Sequence, residues 1–172
     1  MCHRLAIIAI ALGLMAGPAA ARIDVVATGF YCMPDPDRIA TPGVGAQSGR
    51  VWVSEDVPLP ARRGTIVPTA VGISFGVFFE TTGRPGVLDV HLTHPPFADT
   101  DSTSQNWRLR DVVPGTRKGA AYTLDTEDEL APGTWTFDIR RGDRTVLRQD
   151  FMLVDGADAE DLLSSCQEDE TE

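Results

Sequence analysis

Gly72-Ile73-Ser74-Phe75-Gly76 spells G-x-S-x-G, the spacing of a nucleophile elbow, in which a serine stands on a sharp strand-to-helix turn. The flanking residues do not allow that turn. Val71, Ile73, Phe75, Val77 and Phe79 alternate with Gly72, Ser74, Gly76, Phe78 and Glu80, so period two runs straight through the serine. This pattern predicts one strand over 71–80 with the odd positions facing the core and no place for a helix to start. A downstream acid and histidine would have to come from the cramped stretch holding Asp89, His91 and His94. Ser74 is expected to be a strand serine facing a close neighbour.

The other candidate chemistries fail on the same kind of geometry. His91 and His94 lie in a second alternating run, Val87 to Thr93, with Leu88, Val90 and Leu92 inward. Residues three apart on a strand point to opposite faces, so the two imidazoles are not expected to share a metal. His94 precedes Pro95 at the strand end and is expected to hold that bend by hydrogen bonding. Asp99-Thr100-Asp101-Ser102-Thr103 begins like a calcium loop, but Ser104 and Arg110 stand where an EF-hand needs glycine and glutamate. Loose calcium binding there or at Glu127-Asp128-Glu129 is the alternative to a polar turn. Arg141-Gly142-Asp143 is an integrin tripeptide at a point where a hairpin needs turn residues, and it reads as that turn. Trp52, Trp107 and Trp135 could stack sugars. Trp107 and Trp135 fall on inward positions, which leaves Trp52, on a short strand Val51-Trp52-Val53 between loops, as the exposed binding candidate. No catalytic, metal-ligating or cofactor-binding residue is assigned, and no cofactor is expected.

The elements that would carry these residues are strands. Apolar residues make up 42% of the chain, enough to fold, while 16 glycines and 12 prolines break up helical periodicity. That balance predicts an all-β domain with many turns. Ile23 to Tyr31 reads as the first strand, 33–50 and Ser54 to Ala70 as irregular loops. Trp107 with Leu109, and Ala120, Tyr122 and Leu124, are further alternating sets. In the last hairpin, Trp135, Phe137 and Ile139 return against Leu147, Phe151 and Leu153. Keeping both sets on one face requires odd residues opposite odd residues. The expected register therefore sets Ile139 opposite Leu147, Trp135 opposite Phe151 and Asp138 opposite Arg148, around an odd loop Gly142-Asp143-Arg144 with a bulge. A short helix follows, capped by Asp158, with Leu162, Leu163 and Cys166 on its inward face.

The two ends of the chain set its expected address. Met1-Cys2-His3-Arg4, an apolar stretch from Leu5 to Gly17 and the small exit Ala19-Ala20-Ala21 read as a signal peptide over 1–21, with maturation at Arg22. Export to the periplasm or beyond, as a soluble product without membrane insertion, is the expectation. The net charge is −10, and residues 155–172 hold eight acidic groups with no Lys or Arg. A near-neutral body, 22–154, with an acidic helix and tail, 155–172, argues against nucleic acid or an anionic membrane as partner. Cleavage would remove Cys2, and an oxidising compartment then makes a Cys32–Cys166 disulfide the expected state.

Gly29-Phe30-Tyr31, Phe75-Gly76-Val77-Phe78-Phe79, His94-Pro95, Pro132-Gly133-Thr134-Trp135-Thr136-Phe137 and Phe151-Met152-Leu153-Val154 together resemble a bacterial family defined as a domain of unknown function. The resemblance implies a small exported protein. The resemblance covers about residues 23–154 and implies an antiparallel immunoglobulin-like β-sandwich of about seven to eight strands. It carries no catalytic residues over, and the acidic tail is an addition to the family pattern. The expected function is a non-enzymatic exported module that binds a protein partner in the cell envelope, with a small-ligand or divalent-cation domain as the alternative and a hydrolase after that.

Overall fold

A computed structural model describes residues 22–32, 39–42, 50–53, 60–82 and 86–166, with the backbone alone for 39–42, 50–53 and 111. The signal-peptide and tail-end assignments, 1–21 and 167–172, lie outside the described residues.

The strands are β1 (Ile23–Tyr31), β2 (Ile39–Pro42), β3 (Arg50–Val53), β4 (Arg62–Arg63), β5 (Ile66–Thr69), β6 (Ser74–Thr81), β7 (Gly86–Thr93), β8 (Ser104–Val112), β9 (Arg117–Thr123), β10 (Gly133–Arg141) and β11 (Arg144–Asp155). One sheet has the order β4-β1-β6-β9 and the other β5-β11-β10-β7-β8, while β2 and β3 form a separate hairpin. All pairings are antiparallel except β5 on β11, which is parallel. This is an all-β sandwich, and the core lies between the two sheets.

The alternation read from the sequence decides what enters that core. Ile73, Phe75, Val77 and Phe79 from the β6 segment meet Leu88, Val90 and Leu92 of β7 and Trp135, Phe137 and Ile139 of β10, each at most 4% exposed. Phe75 makes edge-on ring contacts across the gap with Trp135, Phe137 and Phe151, at centroid distances of 5.4, 5.8 and 5.3 Å. Val71 does not follow its expected inward course. It is 51% exposed because β6 starts only at Ser74, after the turn at Gly72. The even positions of β6 are closed over as well: Ser74 and Phe78 are buried, and Phe78 packs edge-on to Tyr31 of β1. Glycine at 119 makes this possible, since a Cβ there would sit 2.3 Å from the Phe78 ring.

The β10–β11 register is Ile139 opposite Leu147, Trp135 opposite Phe151 and Asp138 opposite Arg148. The loop that delivers it differs from the expected three residues. Arg141 pairs with Arg144, so Gly142-Asp143 is a two-residue turn with Gly142 at φ +59°. The odd residue is supplied by a bulge, since Arg140 faces Thr145 and Ile139 faces Leu147, leaving Val146 extra. Parity is kept by the strand instead of the turn.

β5 falls inside a stretch that the sequence presents as irregular. Pro68 hides it from strand patterning, but a proline is tolerated on an edge strand where its missing N–H costs no ladder bond. Val67 is fully buried there. At the C-terminus a 3₁₀ turn, Gly156–Asp158, precedes α1 (Glu160–Ser164). Asp158 does not cap α1, whose N-cap is Ala159 with no side-chain cap; the side-chain cap lies one element earlier, where Asp155 accepts from Ala157 N at 3.0 Å at the start of the 3₁₀ turn. The reason is that Gly156, whose N–H reaches Thr69 Oγ1, already begins the turn. Leu162, Leu163 and Cys166 pack on the core, and Cys166 is disulfide-bonded to Cys32 at the end of β1.

Candidate functional site

The two flanks of the sandwich are built differently. β4 and β5 end the sheets on one side, and both are short, with 2 and 4 residues. That side is closed further by α1 against β5, by the Cys32–Cys166 bond, and by an Arg62–Asp161 ion pair at 3.8 Å. On the other side β8 and β9 end the sheets, with 9 and 7 residues, joined by a corner whose Gly115 N donates to Thr81 O of β6. Among the described residues neither of these strands has a second neighbour. An unpaired strand offers a row of free N–H and C=O groups to an incoming chain.

The two free edges are guarded to different degrees. β8 carries Arg108 and Arg110 as exposed side chains and has a bulge, where Arg110 and Asp111 together face Val87. Charge and bulges both discourage strand addition. β9 pairs with β6 through seven consecutive positions without a break. Its outward positions are Arg117, Gly119, Ala121 and Thr123, and its two charges, the exposed Arg117 and Lys118 opposite the inward Phe79, are confined to its first two residues. β9 is therefore the less protected edge.

The solvent face of the β8-bearing sheet is a charged ladder. Arg148 stands 3.8 Å from Asp138 and 3.7 Å from Asp150, Asp138 is in register with His91, and Arg108 bonds Asp89 at 2.8 Å. These exposed pairs each contribute on the order of 0–1 kcal/mol and serve mainly to keep this face in water.

One end of the sandwich holds the buried titratable groups. Glu129, in the 3₁₀ turn Glu127–Glu129, is 2% exposed. Its carboxylate accepts from Tyr122 Oη at 2.9 Å and from Asp125 N at 2.6 Å. Burial pushes its pKa up against the opposing pull of those donors, and burial beside this carboxylate pushes the Tyr122 phenol up strongly. Trp135, fully buried, donates its indole N–H to Ala131 O and packs against Tyr122 and His94. The Glu127-Asp128-Glu129 run, an open calcium candidate from its sequence, thus commits its last carboxylate to the interior. Among the described residues no three His, Cys, Asp or Glu side chains converge as a metal site.

Removing the Glu129 carboxylate is expected to expose its role. Glu129→Leu removes the buried acceptor of Tyr122 Oη and Asp125 N and should cost about 3 kcal/mol in a urea titration. Glu129→Gln should keep most of the stability and change its pH dependence. With the folded pKa raised, the wild-type stability from this group is full below the ordinary carboxylate range and is lost as pH rises through the folded value. The Gln variant lacks that loss, so the difference between the two proteins should grow in favour of Gln from acid to neutral pH.

The remaining sequence candidates are dispersed. Ser74 Oγ and Thr123 Oγ1 share a buried hydrogen bond of 2.7 Å on a straight strand. His91 Nδ1 bonds Asn106 Oδ1, and His94 Nδ1 donates to Pro95 O at 2.8 Å. Gly142-Asp143 form the hairpin turn, and Ser102 closes a local turn with Thr100. Trp52 pairs with Ala40 along the backbone of the β2–β3 hairpin, and its side chain lies outside the described residues. Sequence reading missed Glu129 as a buried group. The available signal was Tyr122, an inward strand residue whose hydroxyl needs a partner.

The two facing sheets have the fold of an immunoglobulin-like β-sandwich. Among solved structures it is similar to an immunoglobulin-like protein from Pseudomonas aeruginosa, with 19% identity over 79% of this chain and 98% of that chain at a TM-score of 0.50. The chain belongs to the family described as a domain of unknown function, DUF3859, whose pattern matches residues 23–153. Among curated proteins none matches it.

Proposed function

We infer that this protein is an exported, non-enzymatic immunoglobulin-like module that docks a protein partner in the cell envelope by adding a strand to its open flank. The observation that carries this reading is the asymmetry of the sandwich, with one flank stapled and the other ending in the long unpaired strands β8 and β9. Backbone pairing supplies affinity in such contacts, and the side chains beside the edge supply selectivity. The export pattern at the N-terminus and the disulfide both suit an oxidising compartment. Ser74, His91 and His94, the residues with nucleophilic or basic chemistry, are each engaged in structural hydrogen bonds, which supports a binding role over a hydrolytic one.

Proline on β9 tests the reading. Neighbouring strand positions alternate between bonding β6 and facing outward, so of Ala120→Pro and Ala121→Pro one removes only an outward N–H. Capture of an envelope protein by the wild-type chain should be lost with whichever of these variants keeps the wild-type melting temperature. Capture that survives proline on β9 and on β8, at Asn106, would overturn the open flank as the docking surface.

A further inference from the structure

The strongest unexplained group in the molecule is His94. It is 6% exposed at the end of β7, and its ring is sandwiched between Phe97, at 4.0 Å and 16° from parallel, and Trp135, at 4.7 Å and 26°. Nδ1 carries its proton to Pro95 O, which leaves Nε2 as a bare lone pair. That atom is buried without a hydrogen-bond partner among the described residues. The stack holds the segment after β7 against the sandwich end. Ala98 N bonds Asp128 O there, and Pro95 lies so close to Gly133 that a Cβ on the glycine would approach it to 2.8 Å.

We propose that His94 is an acid-operated latch, in which a proton taken at Nε2 breaks the Phe97–His94–Trp135 stack and lifts residues 94–103 off the end of the sandwich. The chemistry is local. A proton on Nε2 creates a buried N–H and a positive charge with no acceptor. The π faces of Trp135 and Phe97 attract a cation, but that attraction is weaker than the cost of a buried unpaired charge. Burial accordingly holds the His94 pKa below the ordinary imidazole value, with the Pro95 bond pulling the other way. The neutral form is thus the folded form. Stability from this group is full at neutral pH and is lost as pH falls below the ordinary imidazole value, until the folded form also protonates.

The charged and titratable groups around the stack come from each neighbouring element. The segment itself brings Asp99 and Asp101, both exposed, while β9 brings Tyr122 and the 125–129 turn brings Asp125, Glu127, Asp128 and Glu129. The influences on the His94 ring are its burial and the Pro95 carbonyl, and the Glu129 carboxylate is directed at Tyr122 and Asp125 N instead of at His94. Opening would bare Phe97 and the Trp135 edge, an aromatic surface hidden at neutral pH. An exported protein meets the pH of its surroundings, which gives such a latch an input.

The test is hydrogen exchange by NMR on the labelled protein, read as protection factors to remove the intrinsic pH dependence. From pH 7.5 to 5, protection at Ala98 N–H and the Trp135 indole N–H should fall tenfold or more, while Val77 N–H stays protected. The fall should begin where an exposed imidazole starts to take up protons and level off where the His94 ring itself titrates. His94→Phe, an apolar ring of similar shape, should abolish the fall, and His94→Gln serves if the Phe variant misfolds. Unchanged protection at Ala98 and Trp135 while His94 titrates would overturn the proposal. A fall that persists in the folded variant would overturn it equally.

Discussion

Phe75→Ala is expected to lower stability by about 4 kcal/mol. Phe75 is fully buried on β6 of one sheet, and its ring touches Trp135, Phe137 and Phe151 of the other, so truncation removes the centre of the contact that joins the two layers. The rings of Tyr122, Trp135, Phe137 and Phe151 cannot collapse onto an alanine, so a cavity remains and its lining loses contacts. For a domain of this size the melting temperature should fall by roughly 10 °C or more. Phe75→Leu fills much of the volume and should recover over half of the loss, which keeps the result readable if the alanine variant does not fold. A loss below about 1 kcal/mol for alanine would mean that the ring is not the central inter-sheet contact.

Breaking the Cys32–Cys166 bond is the second large effect. The bond closes a loop of sequence separation 134, and in the chain-entropy view such a loop is worth about 4–5 kcal/mol. Replacing both cysteines with serine should lower the unfolding free energy from urea titration by that amount, and reduction of the wild-type protein should match it. The oxidised protein should show no reactive thiol from either residue under native conditions. Two titratable thiols in unreduced, undenatured material would contradict the bond. A loss near zero would mean that the helix stays on the body by the packing of Leu162 and Leu163 alone.

How far the sequence reaches is plain from particular residues. The β10–β11 register follows from parity, because a one-residue slip would carry Arg148 and Asp150 into the core. The core positions of β6 and β7 follow from alternation, because the inward side chains must be apolar wherever a layer closes over them. What parity leaves open is where the odd residue sits, and the structure moves it from the turn to Val146 in the strand. β5 is illegible because a parallel edge strand four residues long, with a proline in it, has too little period to see. Glu129 is illegible for another reason: a carboxylate in an acidic run reads as solvated until a tertiary partner, Tyr122, is placed over it. The open flank could not be read at all, since no local pattern says which strands end a sheet.

The unequal flanks limit what this domain can build. A chain of like molecules joined edge to edge needs one accepting side on each and one offering side on each. Here the side bearing β4 and β5 is short-stranded, covered by α1 and tied by a covalent bond, so it offers nothing to the next copy. A strand that arrives at β8 or β9 finds a body that ends there. Growth would stop after one addition to each sheet, so complexes should have fixed stoichiometry and no tendency to fibres. Under the proposed docking, the staple that holds the C-terminus in place would make the protein a terminator of β-structure, sealing a partner's exposed edge without passing an edge on.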